Sequence, residues 1–280
     1  MSDFKVYGID VSKHQGVIDW KKVKADGVQF AILRAGYGRE LSQKDVQFEN
    51  NYKGCKDNDI PCGVYWYSYA MTVEEVKKEA QVCLEVIKGK QFEYPIYFDI
   101  EEKKQLELGK AACTELAKAF LETVEKAGYW VGIYSSKSHL ETYISEEVRE
   151  RYAVWVAHYN VDRTTYKGQF GMWQKSSTGK VDGIKGNVDQ NECYIDYPAD
   201  VKKAGLNGFK KSAVKPQISK PAAKPAEPKY ITYTVKRGDT LWDIAKKYLG
   251  SGARYKEIMY ASAITSEKIY PKQKLSIPKK

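Results

Sequence analysis

The sequence predicts an α/β chain in which a parallel β/α domain of about 195 residues precedes a small α+β unit. Three observations carry this expectation. Strand-type and helix-type patterns alternate through five units before mostly strand-type segments follow. The strands are rich in Val, Ile, Tyr and Phe with apolar residues on both faces, as in strands covered by helices, so a closed barrel and a doubly wound sheet both fit. After Asp200 the composition turns abruptly to Lys, Ala and Pro, then recovers a folded pattern from residue 230.

Residues 4–10 read as a strand ending in an acid, Asp10. Asp19 stands as N-cap before Trp20-Lys21-Lys22-Val23-Lys24, and Gly27 closes that short helix. Strand 28–34 and a helical stretch over 44–56 follow, then a strand over 62–69 with Tyr65, Tyr67 and Tyr69 on one face. Thr72 caps an amphipathic helix to about Ile87, with Val73, Val76, Ala80, Cys83, Leu84 and Ile87 at helical spacing. After a strand over 95–101, Cys113, Leu116, Ala117, Phe120, Leu121 and Val124 line one helix face that stops near Gly128. Further strands are expected over 130–134, 153–158, 171–174 and 181–188.

The stretch Tyr94-Pro95-Ile96-Tyr97-Phe98-Asp99-Ile100-Glu101-Glu102 organises the first domain. Strand alternation sends Tyr97, Asp99 and Glu101 to one face and Ile96, Phe98 and Ile100 to the other. Asp99 and Glu101 then have α-carbons about 6.5–7 Å apart, which lets their carboxyl groups reach separations used to cleave glycosidic bonds. In a parallel barrel the working groups lie at the carboxyl ends of strands. Asp10, Asp99, Glu101 and Asp189 all fall at such ends.

Residues 201–229 carry eight Lys against one Glu, with Pro216, Pro221, Pro225 and Pro228, and read as a flexible linker. The domain plan is thus 1–200, a linker over 201–229, and a module over 230–280. In the module Tyr233-Thr234-Val235 reads as a strand, Thr240 caps a helix over 241–247, a second helix lies near 254–261, and Leu275-Ser276-Ile277 closes the unit.

The net charge of +10 is unevenly placed. Residues 1–200 hold 27 Lys and Arg against 31 Asp and Glu, a balance of −4, while 201–280 hold 19 against 5, a balance of +14. An anionic partner for the tail follows: nucleic acid, a membrane surface or an acidic wall polymer. The five Cys are odd in number with no Cys-x-x-Cys spacing, so buried free thiols made in a reducing compartment are expected. His14, His139 and His158 have neither zinc spacing nor a Cys partner, which argues against a zinc amidase or a Cys/His peptidase; no metal and no cofactor are expected. There is no signal-peptide pattern and no 18-residue apolar run, which points to a protein made in the cytoplasm without membrane insertion.

Two resemblances now enter. Gly8-Ile9-Asp10-Val11-Ser12 with His14-Gln15-Gly16, Phe98-Asp99-Ile100-Glu101, Gly132-Ile133-Tyr134, Trp155-Val156-Ala157, Trp173-Gln174 and Val188-Asp189 resemble, in order and spacing, the glycoside hydrolase family 25 lysozymes common among phage endolysins. Tyr233-Thr234-Val235, Gly238-Asp239-Thr240-Leu241-Trp242 with Ile244-Ala245, and Tyr270-Pro271 before Leu275-Ser276-Ile277-Pro278 are similar to a LysM peptidoglycan-binding module. It departs from that pattern at Tyr260-Ala261-Ser262-Ala263, where Asn residues are usual, and at Lys272, which replaces a common Gly.

The first resemblance implies an irregular, flattened (β/α)5(β)3 barrel that cleaves the β-1,4 bond after N-acetylmuramic acid, with Asp10, Asp99, Glu101 and Asp189 as its acidic set. Glu101, with the longer arm and the like charge of Asp99 beside it, is expected to be the general acid, and Asp99 to stay ionised. The family's proposed mechanism has Asp99 orient the substrate's acetamido group as the nucleophile. Arg34, Tyr65, Tyr67, Tyr134 and Trp173 are the candidates for substrate contact. In the module, Gly238, Asp239 and Thr240 face the loop from Ile264 to Tyr270 and Pro271 as the expected glycan groove. Peptidoglycan is the expected partner. A wall-binding protein without activity is opposed by the intact Asp99 and Glu101, a wall hydrolase of another bond by the motif set, and a nucleic-acid binder by the glycan-module pattern of the tail. With no signal-peptide pattern, the endolysin resemblance implies storage in a host cytoplasm and action on the wall after release.

Overall fold

The computed structural model describes residues 4–210, 230–236, 238–262, 264 and 267–278. Most of the expected linker, from 211 to 229, lies outside the described residues, as do Ala263 of the departing segment and residues 265 and 266 of the expected groove loop. The chain divides into two compact units at residues 213 and 214.

The first unit is a closed eight-stranded barrel in sequential strand order. The strands are β1 (Val6–Val11), β2 (Phe30–Tyr37), β3 (Cys62–Tyr67), β4 (Ile96–Asp99), β5 (Val131–Ser136), β6 (Ala153–Ala157), β7 (Met172–Gly179) and β8 (Val188–Cys193). β1 to β7 pair in parallel, and β8 runs antiparallel to both β7 and β1. Helices α1 (Trp20–Ala25), α2 (Phe48–Asp57), α3 (Val73–Ile87), α4 (Lys103–Leu106), α5 (Gly109–Lys126), α6 (Lys137–Tyr143) and α7 (Glu146–Arg151) follow the first five strands, so the unit is a (β/α)5(β)3 barrel. The side-chain oxygens of Asp19 and Thr72 accept from the amides of Lys22 and Glu75, which caps α1 and α3 as the sequence indicates.

Two apolar layers result from strand alternation. Ile9, Leu33, Val64, Phe98 and Ile133 point outward into the core shared with the helices, including Phe120 of α5, whose ring stacks 4.7 Å from that of Phe98. Inside the barrel lie Phe30, Ile32, Tyr97, Trp155 and Met172. Gly132 makes room for them: a Cβ there would lie 2.5 Å from the Tyr97 ring and 2.7 Å from the Ala153 carbonyl. All five cysteines are free and buried.

Two expectations change. The strand expected over 181–188 is instead turn and loop, and the closing strand begins at Val188. Its sequence Val-Asp-Gln-Asn-Glu-Cys is polar because its inward residues serve the hydrogen-bond network described below. Asp189 thus opens an antiparallel strand rather than ending a parallel one, yet the reversal of direction leaves it at the same mouth of the barrel. Secondly, the chain stays packed beyond the compositional change at Asp200: helix α8 spans Tyr197–Ala204, and the buried Asn207 donates to the carbonyls of Phe92 and Tyr94 (3.0 and 2.9 Å) while accepting from the Trp130 amide (2.7 Å).

The second unit pairs β9 (Tyr230–Thr234) antiparallel with β10 (Lys274–Pro278), with α9 (Leu241–Leu249) and α10 (Tyr255–Ala261) between them in sequence. Leu241, Ile244, Ala245, Leu249, Ile258, Leu275 and Ile277 form its core.

Candidate active site

The carboxyl ends of the parallel strands carry a cleft of about 330 Å³ lined by Asp10, Arg34, Tyr65, Tyr67, Asp99, Glu101, Tyr134 and Asp189, among the residues named from the sequence. His14, Trp155, Tyr159 and Gln174 complete it. Alternation explains the assembly. Ile9 and Val11 are held in the outer layer, which turns Asp10 inward; Phe98 and Ile100 do the same for Asp99, the last residue of β4. Strand register then sets Asp10 opposite Asp189, and Asp99 between Tyr67 and Tyr134. Glu101 lies just past the end of β4 rather than on it, half-buried, still on the cleft side.

Asp10 is 5% exposed and tightly held. Its Oδ2 accepts from Gln174 Nε2 and Asn191 Nδ2, both at 2.8 Å. Gln174 Oε1 in turn accepts from the hydroxyls of Tyr134 (2.7 Å) and Tyr159, and Trp155 Nε1 donates to Asn191 Oδ1 at 2.8 Å. These contacts fix which end of each amide faces Asp10. Tyr159, Gln174 and Asn191 were not singled out from the sequence as site residues. Gln174 had a usable signal, since it shares a strand face with Met172 inside the barrel; Tyr159, on the loop after β6, had none.

Asp99 is 3% exposed, and its Oδ1 has no hydrogen-bond partner among the described residues; the same holds for Nη2 of Arg34. Arg34 is anchored through Nε to Asp45 Oδ2 at 2.7 Å, and Asp45 also accepts from the amides of Lys13 and Gln47. Burial disfavours the charged form of all four acids. It pushes Asp99 well above the usual carboxylate range, with Glu101 and Asp10 adding repulsion and only Arg34 opposing. Asp10 is raised well above that range too, by burial and then by Asp189, against the pull of its two amide donors. Glu101 is raised by burial and then by Asp189 and Glu102, and Asp189 is pushed up to about 6 by burial. Burial thus works against the ionised state expected of Asp99 as well as favouring the acid form of Glu101, and Asp99 Oδ1 has no partner among the described residues to offset it.

Trp173 is not brought to the cleft. It sits one residue off the inward parity of Met172 and Gln174, packs in the outer core and donates through Nε1 to the His158 carbonyl at 2.9 Å. Among the described residues no cluster of His, Cys, Asp or Glu is arranged to hold a metal ion. In the second unit Asp239 accepts from the Tyr233 hydroxyl and the Lys236 amide, both at 2.7 Å, and Thr240 caps α9 by accepting from the Asp243 amide. The side chains of Asp239 and Thr240 are thus committed internally, Gly238 takes a φ of 92° that suits glycine, and Ile264 packs on the module core, whereas Tyr270 and Pro271 are exposed.

A closed β/α barrel with carboxyl groups gathered at its mouth is the equipment of a glycoside hydrolase. The chain belongs to glycosyl hydrolases family 25, which matches residues 9–184, and residues 233–278 match the LysM domain. It is 34% identical over 200 residues to the uncharacterized protein YegX of Escherichia coli, covering 68% of this chain and 70% of that one. Lysozyme M1 of Streptomyces globisporus is 28% identical over 202 residues, covering 67% of each chain. The solved structure of the modular autolysin LytC from Streptococcus pneumoniae in complex with a synthetic peptidoglycan ligand superimposes with a TM-score of 0.61 at 29% identity, covering 69% of this chain and 48% of that one.

Among the described residues no helix is long and apolar enough to cross a membrane.

Proposed function

We propose that the protein is a peptidoglycan muramidase that hydrolyses the β-1,4 bond between N-acetylmuramic acid and N-acetylglucosamine, and that it works as a wall-lysing enzyme of the endolysin type. The observation that supports this most is the convergence of Asp10, Asp99, Glu101 and Asp189 from β1, β4, the segment after β4, and β8 on one cleft.

In this reading Glu101 gives its proton to the glycosidic oxygen as the bond to the muramic C1 breaks, and the glucosamine hydroxyl leaves. The acetamido oxygen of the muramic unit closes on C1 while Asp99 accepts a hydrogen bond from the acetamido N–H. Water then opens that ring and returns a proton to Glu101, with retention at C1. Substrate binding sorts the shared protons. An N–H donor facing Asp99 favours its carboxylate, while the sugar ring strips water from Glu101 and favours its acid form. Asp10 and Asp189 tune the charge of the Asp99–Glu101 pair and position the sugar ring.

The test of bond choice is mass analysis of reducing ends after digestion of purified wall. N-acetylmuramic acid is expected at the reducing end, with no new amino termini. N-acetylglucosamine at that end would make the protein a glucosaminidase, and new amino termini would make it an amidase or peptidase.

The tail is proposed to anchor the enzyme on peptidoglycan glycan chains, the lysines of 201–229 by charge and the LysM module by the groove its resemblance implies. Attraction between exposed charges is screened beyond about 8 Å at physiological salt, so the lysine share should fade as salt rises while the module's share persists. Chains ending at residue 210, which keep the Asn207 clamp, at residue 229, and at full length separate the two shares. Binding to purified wall is expected to rise in that order at low salt, and only the full chain should bind well at high salt. Equal binding of all three throughout the salt series would remove the anchor.

A further inference from the structure

The loop after β3 leaves the cleft carrying a second set of rings. Tyr67, which lines the cleft, lies 4.9 Å centroid to centroid from Tyr69, and Tyr69 in turn meets Tyr37 at 6.1 Å. Tyr69 is 50% exposed, although a tyrosine ring of this size is normally tucked away where the fold allows it.

The backbone under this ring is fixed amide by amide. Ser68 N donates to the Asp99 carbonyl (3.0 Å), Tyr69 N to Glu79 Oε1 (2.9 Å), Ala70 N to Ser68 Oγ (3.3 Å) and Met71 N to Glu75 Oε2 (2.7 Å). Gln105 Nε2 donates to both Ser68 Oγ and the Ala70 carbonyl, at 2.8 and 2.7 Å. Glu79 is wholly buried on α3, a costly place for a carboxyl group, and its bonds serve this loop. Connecting loops are usually the more mobile parts of a fold. Here the buried Ser68, Glu79 and Gln105, with Glu75 at the rim, tie down four residues under one aromatic ring that is presented to solvent beside the acids.

Glu102 supplies the polar part. Its Oε2 accepts from the Tyr67 hydroxyl at 3.3 Å, and among the described residues no donor is shown on its second oxygen. Ring faces that pack against C–H surfaces, beside a carboxylate that accepts from hydroxyls, are the chemistry that recognises a pyranose. The same carboxylate repels phosphate.

We propose that Tyr67, Tyr69 and Glu102 form a subsite for a sugar ring of the same glycan chain, next along from the rings flanking the cleaved bond. This rests on the muramidase reading. The subsite makes the enzyme favour long strands over short fragments, because only a chain that extends past Tyr67 reaches Tyr69.

The experiment compares full-length parent, Tyr69→Ala and Tyr69→Phe on peptide-free glycan strands and on the disaccharide fragment N-acetylmuramyl-β-1,4-N-acetylglucosamine, which fills only the two positions flanking the cleaved bond. The parent is expected to prefer strands. Tyr69→Ala should lower the strand-to-fragment ratio of kcat/KM about tenfold, through KM on strands, and Tyr69→Phe, which keeps the ring, should retain the ratio. An unchanged ratio in Tyr69→Ala, or an equal fall in Tyr69→Phe, would overturn the subsite. End-group analysis of the parent's products separates this from the function itself: absence of muramic reducing ends there would end the muramidase reading and the subsite with it.

Discussion

Glu101→Gln is expected to lower kcat/KM on purified wall by about 10²–10⁴-fold, the range that a positioned general acid supplies. Gln keeps the length and shape of the side chain and removes the proton that the leaving oxygen needs. Glu101 lies beyond the last residue of β4 and is only half-buried, so the barrel does not depend on it. The melting temperature of the variant should therefore stay close to the parent's while lysis is nearly lost. Lysis at close to the parent's rate would show that another group protonates the bond, and Asp99 would be the first to examine.

Asp99→Asn should be as severe for activity, with an opposite signature in stability. Burial raises the Asp99 carboxyl well above the usual range in the folded protein, and Oδ1 has no partner to compensate. A carboxyl whose folded-state pKa is raised contributes stability that is fully present below its unfolded pKa, near 4, and is lost as the pH rises through the folded value. The parent thus carries the cost of charging Asp99 at neutral and alkaline pH, and Asn does not. Measured by thermal unfolding at several pH values, Asp99→Asn should gain on the parent as the pH rises above about 4 and level off once the folded-state value is passed. Asp189, pushed up to about 6, has the same sign over the lower part of that window. A constant difference at all pH values would mean that Asp99 is not held at such cost, and the account of shared protons would fall with it. An inactive but steadier variant is what a site strained for function predicts.

Much of the barrel was legible because its local signals agree. The cap residues Asp19 and Thr72, the apolar spacing of α3 and α5, and the greasy strands all point one way. Asp10 and Asp99 were legible for a related reason: an acid inside an apolar strand has few structural excuses. What could not be read was parity in the last strands. Trp173 and Gln174 are neighbours, and only the pairing of β7 with β6 and β8 decides that Gln174 turns in and Trp173 turns out. β8 does not read as a strand because Asp189 and Asn191 fill its inward positions, which lowers its strand propensity; Asn191 there donates to Asp10. Proton placement is not legible for want of depth: like charge is visible in a sequence, but the burial that raises the Asp99 carboxyl is not.

The closure of the sheet between its first and last strands also sets when the enzyme comes into being. Asp10 meets Asn191, 181 residues further along, and until that pairing forms the barrel has neither a complete wall nor a fourth acid. Contacts so distant in sequence form late and together. On the ribosome, the emerging chain has α3 and α5 to bury early and no assembled cleft. The glycoside hydrolase site is therefore complete only after synthesis through β8 and its pairing with β1.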